Sequence, residues 1–183
     1  MKRTYLIGLL LCLCSVWTMG QGHKGSVDEC APMQNGKVCY SDDVEMEGQS
    51  KQEIFNAINR WAKKNYAKDY FLSNVTSNKN KATILVSSKI ELLLNDTDKT
   101  LLKYKMNIHC FDNRYTIEVS NIVYQYDPEN NKKYKTYPAE NVIANNGKSN
   151  TVAIIKDPLL FCNATFFFVE SLFADVFDAA QGE

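Results

Sequence analysis

The 183-residue chain has little of what metal and thiol chemistry draws on. It holds two histidines, His23 and His109. No CxxC pair and no HxxxH spacing occurs, which removes the usual zinc arrangements, and no cofactor or metal site is expected. Charge of one sign is also missing: 21 Lys and Arg balance 21 Asp and Glu. Without a basic excess there is no electrostatic case for nucleic acid. Past the N-terminus no stretch approaches the ~20 apolar residues that span a bilayer. The longest candidate, "ATFFFVESLF", is broken by Glu170. No internal repeat is visible.

What is present begins with "MKRTYLIGLLLCLCSVWTMG". Lys2 and Arg3 form a positive n-region, and 5–17 is an apolar h-region. Thr18 and Gly20 are small residues at −3 and −1 of a cut before Gln21. Residues 1–20 thus read as a secretory signal peptide. A lipoprotein signal using Cys12 or Cys14 is disfavoured, because each follows a leucine. The chain is expected to be exported and soluble, with a net charge near −2 after loss of Lys2 and Arg3. Four cysteines remain after the cut: Cys30, Cys39, Cys110 and Cys162. An even number in an oxidising compartment suggests two disulfides, with three pairings open. The spacing of Cys30 and Cys39 around the turn-like "APMQNGKV" favours that pair, leaving Cys110 with Cys162. Buried free thiols are the competing alternative.

Residues 21–34 are polar and expected to be loose, followed by a single domain over 35–179. "GKVCYSDDVEMEG" reads as a strand. Ser50 and Glu53 form a capping box, in which each side chain satisfies an orphan amide at a helix start. Ile54, Ile58 and Trp61 keep helical spacing, which predicts a helix over 51–67. "YFLSNVTS", the turn "NKNK" and "ATILVSSKIELLL" predict a hairpin. In "LLKYKMNIHCF", Leu102, Tyr104, Met106, Ile108 and Cys110 share one face, and Lys103, Lys105, Asn107 and His109 the other. In the next strand the apolar series moves from odd numbers (Tyr115, Ile117, Val119) to even (Ile122, Tyr124, Tyr126). One extra residue near Ser120–Asn121 restores the register, so a β-bulge is expected there. Residues 127–150 read as a long polar loop. Asp157 and Pro158 mark the start of a helix over 158–179. Its stripe is Phe161, Ala164, Phe168 and Leu172, widened by Leu160, Phe167, Val169, Phe173 and Val176. The order β-α-β-β-β-β-α gives an α+β fold: a curved five-stranded antiparallel sheet with both helices on one face.

That order and its residues resemble a family of secreted bacterial proteins. The family is described as a domain of unknown function with a TATA-box-binding-protein-like (TBP-like) fold. The stretches that carry the resemblance are "NGKVCYSDDVEMEGQSKQEIFNAINRWAKKNY" and "YKMNIHCFDNRYTIEVSNIVYQY", with "ESLFADVF" in the last helix. They include the G-x-S link before a Trp-containing helix and a D-N-R-Y turn. The resemblance implies a TBP-like domain in a bacterial periplasm or cell envelope. It implies no activity, cofactor or catalytic residue, because the family has none established. The matches to the N-glycosylation sequon in "NVT", "NDT" and "NAT" are then chance.

Several residues invite a chemical reading. His109 and Cys110 are neighbours on a strand and point to opposite faces, so they cannot form a nucleophilic dyad. Asp112 is read as a turn residue. Asn95 to Asp98 offers oxygens for calcium but lacks the other ligands and the glycine of a calcium loop. Asp42, Asp43, Glu45 and Glu47 read as a solvated strand face. Tyr134 and Tyr137 lie in the polar loop, where aromatics have no core duty. With Phe166, Phe173 and Phe177 of the last helix they are the expected partner surface, and a homodimer is open. The leading functional expectation is a non-enzymatic envelope domain that binds a protein or envelope component. The second is a small-ligand carrier with a cavity lined by Trp61, Tyr104 and Phe168. The third is an envelope hydrolase, marked by a pocket gathering at least two of Asp42, Glu45, His109 and Glu118.

Overall fold

The structure, a computed structural model, describes residues 30–67, 72–128 and 135–182. The signal peptide, residues 21–29 and Tyr134 lie outside the described residues. A short ribbon opens the fold, with β1 (Met33–Gln34) antiparallel to β2 (Lys37–Val38). Asn35 and Gly36 join them with φ of 49° and 74°. Positive φ at both positions is what a tight hairpin turn needs and what Asn-Gly supplies. The segment expected to be loose is therefore partly built in: Cys30 and Ala31 are buried and β1 follows at once.

β3 (Tyr40–Glu45) leads to α1 (Lys51–Tyr66), and the capping box of Ser50 and Glu53 is present as its sequence indicates. β4 (Ser73–Asn78), β5 (Thr83–Leu93), β6 (Lys99–Phe111) and β7 (Arg114–Tyr126) form an antiparallel meander. The sheet order is β3-β7-β6-β5-β4. The N-terminal half of β7 pairs with β3, and its C-terminal half pairs with β8 (Lys135–Pro138). The sheet thus has six strands. The expected five are all there, and the sixth comes from the segment read as a loop.

The bulge stands where the phase slip put it. Lys103 opposes Val123 and Lys105 opposes Ser120, so Asn121 and Ile122 share the space opposite Tyr104. Asn121 has a φ of 54°. Asparagine tolerates the left-handed region better than other side chains. The extra residue turns Ile122, Tyr124 and Tyr126 back to the face of Tyr115, Ile117 and Val119, and all six are buried.

α2 (Pro158–Gln181) begins at the Asp157 cap, whose carboxylate accepts from the Leu160 amide at 3.3 Å. α1 packs on α2 and on β4 to β7, so both helices cover one sheet face. The core lies between: Ile84, Val86, Leu102, Met106 and Ile108 beneath Ile54, Ile58, Val169 and Val176. By length and mean hydropathy (1.5) α2 could cross a membrane; in this fold its buried side lies in the core. The buried stripe runs Phe161, Thr165, Val169, Leu172, Phe173 and Val176, while Phe167 is 62% exposed. Phe167 was expected inward and points outward, while Thr165 takes a buried place beside the expected Phe161 and Val169.

The polar segment 127–150 is corrected most. After β8 a 3-10 turn (Ala139–Asn141) places Ala139, Val142 and Ile143 fully inside. Their spacing of three and four is one helical turn, too short a signal to rise above ten Asn and Lys residues between 127 and 150. Gly147 (φ 79°) lies so near Pro158 that a Cβ would stand 3.0 Å from the ring, which ties this segment to the start of α2.

Candidate functional site

The sheet's second face, away from the helices, has no cover among the described residues. On it stand Lys103, Lys105, Asn107, His109 and Phe111 of β6 beside Arg114, Thr116, Glu118 and Ser120 of β7. β3 adds Ser41, Asp43 and Glu45, which oppose Glu118, Thr116 and Arg114. At one end the side chains are ordered in a row. His109 stacks on Phe111 at 4.3 Å, the Arg114 guanidinium lies 4.4 Å from the same ring, and Arg114 pairs with Asp43 at 2.6 Å. An arginine over a ring face is attracted by its negative π-cloud.

Beside this row is an open depression of about 420 Å³, lined by residues of β3, β6 and β7 that include Ser41, Asp43, Asn107, His109, Thr116 and Glu118. Its lining includes Asp42, His109 and Glu118, three of the four residues named for a hydrolase, but only His109 and Glu118 stand on this face, because Asp42 is paired with the inward Ile117; Glu45 stays outside the lining. The chemistry available there is modest. Glu118 accepts a hydrogen bond from Ser120 at 2.9 Å and lies against the Cys39 thiol. Burial, with the Glu118 charge and hydrogen bond, pushes Cys39 up to about 11. Burial pushes Cys110 up to about 12. Both thiols are protonated at neutral pH, and only a thiolate is a strong nucleophile.

The structure pairs the cysteines otherwise than expected. Cys30 is bonded to Cys162, with Cα atoms 5.7 Å apart, and Cys39 and Cys110 are free and buried. The β1–β2 ribbon sets Cys39 opposite Pro32, to whose carbonyl its amide donates at 3.0 Å, and so out of line with Cys30. Tyr40 holds Cys30 on the helix side by donating to its carbonyl at 2.7 Å. There the second turn of α2 presents Cys162. Cys110 faces the core under the helices, out of reach of that turn.

Asp112 is committed to structure. Its carboxylate accepts from the Lys51 amide at 2.8 Å, at the start of α1. Asn113 (φ 62°) donates its amide to the Gln49 carbonyl at 2.9 Å and accepts from the Gly48 amide at 3.1 Å. The D-N turn thus docks the loop that begins α1. Asn95 closes its own turn by accepting from the Thr97 and Asp98 amides, and Asp98 accepts from the Tyr126 hydroxyl at 2.9 Å. Those oxygens are spent on the turn. Asp43 and Glu45 take the outer side as expected, whereas Asp42 opposes the buried Ile117.

Of the expected partner surface, Phe166 and Phe173 are buried, Tyr137 is half-buried and Phe177 is 37% exposed. The exposed apolar residues of α2 are the expected Phe177 together with Leu159 and Phe167. Around the expected ligand cavity, Tyr104 packs edge-on against Phe168 at 5.2 Å, and Trp61 against Tyr66 at 5.6 Å. The Tyr104 and Tyr66 hydroxyls are 3.2 Å apart.

Antiparallel sheet, two helices on one face and an open second face define a protein of the TBP-like class. The model of a domain of unknown function (DUF4468) with TBP-like fold matches residues 40–125. A TBP-like protein from Parabacteroides distasonis, known from its crystal structure, is 82% identical, with a TM-score of 0.82 over 84% of this chain and 98% of that one. The chain belongs to this family of TBP-like domains of unknown function. A DUF4468 family protein from Bacteroides ovatus has the same fold at 21% identity, with a TM-score of 0.70 over 83% of this chain and 91% of that one. No curated protein matches.

Proposed function

We propose that the protein is a non-enzymatic binding domain of the bacterial periplasm or cell envelope, whose partner is a protein or envelope component that docks on the open sheet face. The observation that carries this reading is that face itself. It is broad and, among the described residues, uncovered, and it mixes cations, carboxylates and apolar contacts. Rigid scaffolds with exposed, adaptable side chains suit recognition. The Cys30–Cys162 disulfide supports an oxidising compartment, and the signal-like N-terminus supports export. With basic and acidic residues interleaved, the face offers no continuous phosphate-binding surface, so nucleic acid is not the proposed partner.

The test is cross-linking in the native envelope from a photoreactive group at position 105, followed by mass spectrometry. A specific partner, lost on Lys103→Glu with Arg114→Ala, is expected. Recovery of no specific partner at native abundance overturns the reading. One observation favours a second reading, the grouping of His109 and Glu118 in the depression. A hydrolase requires turnover of an envelope polymer that is lost in His109→Ala and in Glu118→Gln. Turnover with that dependence replaces the binding proposal.

A further inference from the structure

β4 is the last strand of the sheet, and among the described residues nothing pairs with its outer edge. Native edge strands are usually guarded by charge, proline or a bulge, because unpaired amides and carbonyls template another chain. The opposite edge of this sheet is guarded in that way. β3 carries Asp42, Asp43 and Glu45, and β8 carries Lys135 and Pro138. β4, "SNVTSN", has no charge, no proline and an unbroken register with β5.

The hydrogen-bond phase shows which groups are free. The Lys89 amide donates to the Leu72 carbonyl at 2.8 Å. Leu72 is thus in a hydrogen-bonded pair, and in an antiparallel ladder such pairs alternate. Asn74, Thr76 and Asn78 therefore bond to β5, while Ser73, Val75 and Ser77 turn their amides and carbonyls to the open edge. The side chains of these three point to the helix side, since they oppose Ser88, Val86 and Ile84.

We propose that this edge pairs with β4 of a second copy of the chain, antiparallel, about a two-fold axis through Val75. Only one register satisfies both constraints. Val75 must oppose Val75 and Ser73 oppose Ser77, so that all three outward-facing residues of each strand bond across the axis. The same register keeps each side chain beside one on its own face. Ser73 meets Ser77 and Val75 meets Val75 under the helices; Asn74 meets Thr76 on the open face. All these neighbours are uncharged and small enough to pack, which favours a second copy over a charged peptide. The interface is smaller than the ~800 Å² per partner of a standard complex, so the dimer is concentration-dependent. It leaves the open sheet face free and does not rest on the binding function proposed above.

The first test is sedimentation velocity of the purified protein over a concentration series. A monomer–dimer equilibrium is expected, with the dimer fraction reduced by about tenfold or more in Ser77→Pro. That substitution removes an outward amide while sparing the bonds to β5, the place where an edge strand accepts proline. If Ser77→Pro does not fold, the pair Asn74→Lys with Thr76→Lys sets like charges directly opposite and serves instead. The second test reads the register. Chains carrying Asn74→Cys and chains carrying Thr76→Cys are oxidised together and apart. Positions 74 and 76 form a non-hydrogen-bonded pair with Cα atoms ~4.5 Å apart, within disulfide range. A cross-link in the mixture well above either chain alone is expected. A wild-type monomer throughout, an unchanged dimer in a folded edge variant, or equal cross-linking apart and together each overturns the proposal.

Discussion

Asn121 and the Tyr124–Thr165 pair show how much single residues carry here. Asn121 holds a φ of 54° so that the second half of β7 can face the core. A β-branched side chain is strained in that region. Asn121→Val should lower stability by about 1–2 kcal/mol, and Asn121→Gly should be near neutral. Thermal unfolding should show a fall of roughly 2–8 °C for the valine variant alone. The Tyr124 hydroxyl meets the Thr165 hydroxyl at 2.7 Å with both residues fully buried. Burial raises the Tyr124 hydroxyl above its ordinary value. Tyr124→Phe leaves the threonine unpaired and should cost about 1–3 kcal/mol. With Thr165→Val added the total should fall short of the sum of the single losses, as a double-mutant cycle in denaturant would show. If the losses simply add, the two hydroxyls are not coupled.

At the scale of elements, the disulfide joins the chain just before β1 to the second turn of α2 across 132 residues. Closing so long a loop restricts the unfolded chain strongly. Cys162→Ser should therefore cost about 2–5 kcal/mol. A thiol count on the denatured chain lacking residues 1–20 checks the pairing: two thiols without reductant and four with it are expected. Four without reductant would remove the bond. α1 is held differently, by its own capping box and by the β6–β7 turn. Its start was legible because Ser50 and Glu53 are local partners. The help it receives from Asp112 was not, because 61 residues separate that carboxylate from the Lys51 amide.

At the scale of the molecule, the inner sheet face carries five tyrosines whose hydroxyls are pushed upward. Burial is the main cause for Tyr40, Tyr104, Tyr115 and Tyr124. Tyr126 is raised to about 12 by burial and by Asp98 beside it. In each case the folded state keeps a proton that the unfolded chain releases near pH ~10. Their contribution to stability is complete below that pH and is lost as pH rises toward 12 and beyond. Titration followed at the tyrosinate absorbance should show several groups ionising together, in step with the loss of circular dichroism. Gradual ionisation with the fold intact would contradict this.

The strands of the meander, the bulge in β7 and the starts of both helices were legible in the sequence because each is written in neighbouring residues. Alternation, a phase slip, a capping box and Asp-Pro act over a few positions and survive any packing. The cysteine pairing, the buried Ala139–Ile143 turn, the sixth strand and the exposure of Phe167 were not. Each depends on which distant surfaces meet: Cys39 lies near Cys30 in sequence, yet the ribbon turns its thiol to Glu118. The His109 and Glu118 grouping likewise exists only because β6 and β7 lie side by side. The sequence by itself determined the elements, the two faces of each strand and an α+β sheet with two helices. Only the tertiary structure decided which face stays open, which cysteines join and which edge is left without a guard, because those are contacts between parts of the chain that carry no local record of one another.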